Sequence, residues 1–196
     1  MKALIVVDIQ NDFLPGGKLA VDNGDIIIPE VNSIQEEYDL VVATQDWHPR
    51  GHKSFASSHA GRNVFDEVEL HGLSQTLWPD HCVQGTVGAE FSATLDTRCV
   101  EAVFRKGMDI EIDSYSGFFD NGRFKNTGLD GYLKSRGVTE VDVCGLAADY
   151  CVYFTAIDAL SLGYTTGILE NATQSIRPER FEMLKNAFRE KGGIIR

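Results

Sequence analysis

Three side chains set far apart in the chain, Asp8, Lys106 and Cys151, supply a base, a cation and a thiol. A thiol needs a nearby base to act as a strong nucleophile at neutral pH, and a carboxylate can serve. A lysine between carboxylate and thiolate stabilises both anions and keeps them from repelling each other. Taken singly, Asp8 reads as a turn residue, Lys106 as a surface side chain and Cys151 as a small buried hydrophobe. The functional reading rests on all three sitting where strands end.

The stretch Val141–Val152, VDVCGLAADYCV, places the thiol. It opens as a short apolar run, breaks at Gly145 and passes the small residues Ala147 and Ala148. It restarts with Asp149 at the N-cap position, then Val152, Ala156, Ala159 and Leu160 at helical spacing. Cys151 is therefore expected in the first turn of a helix that follows a strand. Unpaired backbone N–H groups and the helix dipole there favour a thiolate, and the same N–H groups can hold an oxyanion. The small residues before the helix allow the backbone to approach a ligand closely.

A second constellation is Asp46-x-His48, which puts a carboxylate and an imidazole on one side of an extended segment. With a third ligand this makes a site for a divalent ion that keeps open positions. His81 is the preferred third ligand, with His52 and His71 as competitors. Phe13, Trp78 and Tyr115 fall near these elements, where aromatic rings can sandwich a flat aromatic substrate.

The elements that must position these groups alternate along the chain. Lys2–Val7, Leu40–Thr44, Val100–Arg105, the Val141 run and Tyr164–Leu169 are short, apolar and β-branched, and read as buried strands. Residues 24–38 with Pro29 near the start, Thr127–Arg136, the segment after Cys151, and Pro178–Glu190 with Phe181, Leu184 and Phe188 on one face read as helices. This alternation predicts an α/β fold, a parallel sheet covered on both faces in three α/β/α layers. Ligands of such sheets bind beyond the carboxyl ends of the strands. Four strands run into Asp8, Asp46 with His48, Lys106, and the Gly145–Cys151 turn, so the four ends converge on one rim if the strands are parallel. All five histidines and both tryptophans lie between residues 46 and 90, an irregular insertion of the kind that carries function.

Composition narrows the partners. One domain spanning residues 1–196 is expected for 196 residues, 43% of them hydrophobic. A net charge of −11 argues against nucleic acid and anionic membrane and favours a small neutral or weakly charged ligand. No apolar run is long enough to span a bilayer, MKALIVVDIQND lacks the features of a signal peptide, and Cys82, Cys99, Cys144 and Cys151 show no CxxC spacing. Free thiols and a cytoplasmic location are the expectation.

VDIQNDFLPGG, TQDWHP, WPDHCVQGT, FRKG followed by DSYSGF, and GLAADYCV, in that order, resemble the nicotinamidases, also called pyrazinamidases, of the isochorismatase-like cysteine hydrolases. The resemblance runs from about Lys2 to about Ser175. It implies the isochorismatase-like hydrolase fold and hydrolysis of nicotinamide, and of pyrazinamide too, to the acid and ammonia in NAD salvage. By motif position, Asp8, Lys106 and Cys151 would form the catalytic triad. Asp46, His48 and His81 would ligate one divalent ion, zinc before iron or manganese, which in the family holds the pyridine nitrogen. Leu146–Ala147 would carry a cis peptide, and the N–H groups of Ala147 and Cys151 would form the oxyanion hole. Phe13, Trp78, Tyr115 and Leu146 would line the pocket. His52 stands in the loop from which some relatives draw an extra ligand. The implied partner is nicotinamide, with no nucleic acid or membrane and with room for a homo-oligomer.

Rival readings are a metal-free sister hydrolase, a binding module that has lost catalysis, and a redox protein using Cys151 with Cys144. The first should lack DWH and WPDH, the second should lack a triad member, and the third needs a resolving cysteine placed better than one in an apolar strand. The chain carries both metal motifs and all three triad residues.

Overall fold

The computed structural model describes residues 1–196. Six strands form the central sheet: β1 Lys2–Val7, β2 Leu40–Asp46, β5 Val100–Lys106, β6 Glu140–Leu146, β7 Thr165–Gln174 and β8 Ile194–Ile195. Their order is β5-β2-β1-β6-β7-β8, and every neighbouring pair is parallel. The helices are α1 Ile28–Ile34, α2 Leu129–Ser135, α3 Tyr153–Ser161 and α4 Pro178–Glu190. Every residue of β2, and Ala3–Val7 of β1, is buried, although side chains alternate between the two faces. Only a sheet covered on both sides does this, so the three-layer expectation holds.

The order places β1 at the point where the chain changes direction. It grows from β1 through β2 to β5, then returns to β6 on the other side of β1 and continues outward. A crevice opens beyond the carboxyl ends at such a switch point. Along that rim, Lys106, Asp46, Asp8 and the end of β6 stand side by side, and Asp46 and Lys106 are register partners. The predicted convergence of strand ends is thus realised.

The departures have local causes. β7 continues to Gln174, past the predicted Leu169, through a register shift against β6. β8 has only two residues, too few for a periodic signal. The helix expected over 24–38 is divided into a 3-10 turn Gly24–Ile27, α1 and a second 3-10 turn Gln35–Glu37. α2 starts after Gly128, whose φ of 90° excludes a helical residue there. Within the insertion, β3 Glu67–Leu70 and β4 Leu73–Thr76 pair as an antiparallel hairpin. Its two turn residues, His71 and Gly72, both have positive φ, the signature of a primed two-residue turn. No helix is long and apolar enough to cross a membrane.

The turn after β6 differs most from local expectation. Residues Ala148–Val152 form a π turn ahead of α3, a shape often found at functional sites. Asp149 does not cap this helix: its carboxylate accepts the N–H groups of Ile176 and Arg177 from the segment between β7 and α4. Gly145 lies at φ 109°, and a Cβ there would collide with the backbone of Val7 on β1, so only glycine fits.

Candidate active site

The site is built on one lysine. Lys106 ends β5 and its side chain is fully buried. Its Nζ lies 2.8 Å from Asp8 Oδ2, 3.0 Å from Asp46 Oδ1, 3.0 Å from the Ser114 carbonyl and 3.3 Å from Cys151 Sγ. An ammonium has three protons to donate, and here four acceptors surround it. The contact with Asp8 Oδ2 is the one outside hydrogen-bond alignment, since that oxygen accepts no hydrogen bond in the protein. Asp8 Oδ1, by contrast, is held by the Thr44 hydroxyl at 2.6 Å. One carboxylate oxygen is thereby fixed and the other is left to take a proton. Asp8 also sits at φ 48°, an unusual backbone setting for a non-glycine residue at a strand end.

The electrostatics follow from burial around a single charge. Burial pushes the Asp8 carboxyl above the ordinary carboxylate value, and the Lys106 charge offsets only part of this. Burial pushes the Cys151 thiol well up, again against Lys106. For Lys106, burial pulls the other way, but Asp46, Asp8 and Cys151 hold it well above the ordinary amine value. The resting arrangement is an ammonium and a protonated thiol, with the Asp8 carboxyl held against the same ammonium. Nucleophile and base meet at Lys106, and proton transfer between them belongs to the reaction.

The second cluster is on the same rim. Asp46 Oδ2 lies 3.1 Å from His48 Nε2 and 3.3 Å from His81 Nε2. His48 Nδ1 faces the Gly107 carbonyl at 2.9 Å, and His81 Nδ1 faces the Pro79 carbonyl at 2.8 Å. Both carbonyls demand an N–H on Nδ1, so both Nε2 atoms point their lone pairs at Asp46 when the rings are neutral. Three electron-pair donors facing one point need a cation between them. A proton serves: burial alone would lower the His48 pKa, but Asp46 overrides it and the value is raised. A divalent ion serves better, and two imidazoles with one carboxylate are a donor set suited to zinc. The three ligand atoms lie within 4.8 Å of one another, so the residues present fit a metal.

The cluster is braced from below. Gln10 grips the Asp46 backbone through both its amide and its carbonyl, each at 2.8 Å. Asp12 accepts the Cys82 N–H at 2.8 Å, which fixes the backbone next to His81. Gly107, at φ 65°, passes so close to His48 that a Cβ would strike the ring.

Other predicted histidines part company here. His71 is exposed beside Glu111, away from the rim. His52 is buried against His48, with ring centroids 4.4 Å apart. Its Nδ1 accepts the Ser54 N–H at 3.0 Å, its buried Nε2 has no protein partner, and it forms with His48 and Asp113 a second group whose ligand atoms lie within 4.8 Å of one another.

The two clusters share one cleft. Phe13, Trp78 and Tyr115 line it together with Asp46, His81, Ala147 and Cys151. Tyr150 stands edge-on to Trp78, with centroids 4.9 Å apart at 87°. The lining is largely apolar, with Asp46, His81 and Asp113 as its polar members. Leu146 is not among the lining residues; its side chain is fully buried in the core. The Leu146–Ala147 peptide is cis. Leu19, Asp113, Tyr150 and Ile176 also line the cleft, and the sequence did not single them out. Asp113 lies in the DSYSGF motif and Tyr150 next to Cys151, so adjacency could have flagged both. Leu19 and Ile176 look like any other apolar residue in a loop.

A buried acid, amine and thiol at the switch point of a parallel sheet define a cysteine hydrolase of the α/β type. The chain belongs to the isochorismatase domain family, which it matches over residues 2–196. Within that family it is similar to nicotinamidases. It is 49% identical to the nicotinamidase of Acinetobacter baylyi over 174 residues, 89% of this chain and 81% of that protein. Among solved structures it is similar to an Acinetobacter baumanii nicotinamidase/pyrazinamidase, with a TM-score of 0.96, 44% identity and 99% and 94% of the two chains covered. A pyrazinamidase of Pyrococcus horikoshii in complex with zinc superposes at a TM-score of 0.81, with 39% identity and 100% and 98% covered. A protein of L. infantum in complex with nicotinate does so at 0.88, with 37% identity and 100% and 92% covered.

Proposed function

We propose that this protein is a nicotinamidase, a cysteine amidohydrolase that converts nicotinamide to nicotinate and ammonia in NAD salvage and also accepts pyrazinamide. The chain acts as a single domain over residues 1–196, with residues 46–90 as the metal-binding insertion. The observation that carries the reading is the position of Lys106 Nζ, in contact at once with Asp8, Asp46 and Cys151. One ammonium joins the thiol chemistry to the metal cage, and the apolar cleft above both suits a flat aromatic amide. Relatives named nicotinamidase, and neighbours bound to zinc and to nicotinate, support the same assignment.

In this reading Asp46, His48 and His81 hold one divalent ion, zinc before iron or manganese. When bound, the ion supplies a Lewis-acid site for the pyridine nitrogen and so orients the ring. Phe13, Trp78 and Tyr115 flank that ring. Asp8 Oδ2 takes the proton from Cys151 Sγ while Lys106 stays charged and steadies the thiolate. Sulfur attacks the amide carbon, and the oxyanion is received by the N–H groups of Ala147 and Cys151. Asp8 returns the proton to the leaving nitrogen, ammonia departs and a thioester remains. Asp8 then takes a proton from water as it attacks the thioester, and Cys151 leaves with a proton.

The test is ammonia release from nicotinamide by the zinc-loaded protein, by Cys151→Ala and by protein stripped with a chelator. Turnover by wild type alone supports the reading. Unchanged turnover in Cys151→Ala ends the nucleophile assignment, and full activity in stripped protein ends the metal role.

A further inference from the structure

We infer that Ile176 is a specificity-determining wall of the cleft and that Asp149 is the positioning residue that holds it in place. This inference rests on the proposed nicotinamidase reading of the cleft. Three residues, Ser175–Arg177, join the end of β7 to the start of α4 and cross the rim. The middle one, Ile176, lines the cleft that also contains Cys151. The backbone of this link has a specific tie. Asp149 is that tie: Oδ1 accepts the Ile176 N–H at 2.9 Å and Oδ2 accepts the Arg177 N–H at 3.1 Å.

The tie is buried and long-range. Asp149 is 0% exposed and lies 27 and 28 residues from its two partners in sequence. Hydrogen bonds from backbone N–H to a buried carboxylate are among the stronger ones a protein makes. A second tie runs beside it, since the Arg180 guanidinium lies 4.3 Å from the Tyr150 ring centre and reaches its hydroxyl at 3.3 Å. Consecutive residues of one turn therefore do three jobs. Asp149 holds the wall, Tyr150 forms part of it, and Cys151 attacks. The distance from nucleophile to wall is set by this turn, and with it the width left for a substituent on the substrate ring.

The test uses zinc-loaded enzyme and a set of nicotinamides, each carrying one methyl at a different ring position. The readout is kcat/KM for each methylated amide divided by that for nicotinamide. This ratio is independent of how much of a preparation is folded. Ile176→Ala is expected to raise the ratio for at least one position by about tenfold, the lower end of what one methyl in an apolar pocket is worth. Asp149→Asn replaces one accepting oxygen with a donor that faces an N–H, and is expected to raise the ratio for the same compound. The double variant is expected to add little to either. An Ile176→Ala ratio unchanged at every position overturns the wall. An Asp149→Asn ratio unchanged where Ile176→Ala moves it overturns the positioning role. Asp149→Ser, which can still accept one of the two bonds, serves the same comparison if the Asn variant folds poorly. Amide hydrogen exchange in the same proteins needs no substrate: Ile176 and Arg177 should exchange at least tenfold faster in the Asp149 variants, and unchanged exchange overturns the tie. Wild type that hydrolyses none of these amides refutes the nicotinamidase reading, while the exchange result still judges the tie.

Discussion

Replacing Lys106 with Met tests the charge balance of the site. The substitution keeps most of the volume and removes a fully buried ammonium from two carboxylates at 2.8 and 3.0 Å and a thiol at 3.3 Å. Removing one member of a buried ion pair costs about 3–5 kcal/mol, because the partner charge is left unpaired. Two carboxylates are left here, but Asp8, whose pKa burial has already raised, relieves part of the cost by taking a proton. A net loss of about 3–5 kcal/mol near pH 8 is expected, or roughly 6–20 °C in Tm for a domain of this size. The pH trend has a definite sign. Without the ammonium, Asp8 titrates still higher in the folded protein than in the unfolded chain, so the folded variant holds a proton that the unfolded chain releases. The deficit is therefore smallest near pH 5 and grows as pH rises through the folded value. Urea unfolding of the zinc-loaded proteins, followed by tryptophan fluorescence at several pH values, measures it. A deficit below about 1 kcal/mol, the range of an exposed pair, with no pH trend would refute the reasoning.

Three further outcomes are expected from the same geometry. Thr44→Val removes the hydroxyl that Asp8 Oδ1 accepts at 2.6 Å, a charge-assisted bond worth about 1.5–3 kcal/mol, so the acid limb of the kcat/KM profile should move to higher pH; an unmoved limb contradicts the role of Asp8 as base. Metal affinity should fall steeply with acid, because Asp46 holds the His48 pKa up and a proton competes for the same lone pair; competition with a chelator measured from pH 5 to 8 checks this, and a flat profile contradicts it. Gly107→Ala should loosen zinc about 10–100-fold by pushing the His48 ring off its carbonyl partner, read by the same competition assay; unchanged affinity would show that the ring has room.

Much of this arrangement is legible in the amino-acid sequence. Strands that are buried on both faces leave continuous apolar runs, and parallel order then forces their ends to a common rim. Asp8, Asp46, Lys106 and Cys151 can therefore be placed together from four apolar runs and the residues at their carboxyl ends. The illegible part depends on contacts between distant segments. Asp149 looks like a helix cap because local chemistry favours that, yet its carboxylate is taken by Ile176 and Arg177 across the rim. Ile176 carries no signal of its own, since an apolar loop residue reads the same whether it faces a core or a cleft. His52 and His71 share the residue type of a ligand; a hairpin turn carries His71 away, while His52 falls beside His48 in a second group with Asp113. Leu146 sits beside the cis peptide but turns its side chain inward.

The central claim is that acid, amine and thiol gathered on one rim of the sheet work as one device. A double-mutant cycle on the zinc-loaded enzyme tests it most directly, with ammonia release from nicotinamide measured for wild type, Asp8→Asn, Cys151→Ala and the pair. Groups that act as a unit lose nearly everything with the first removal, so the double variant is expected to be no slower than the slower single variant. Losses that multiply, with each removal slowing the other variant by its own full factor, would mean that Asp8 and Cys151 act independently and would contradict the account.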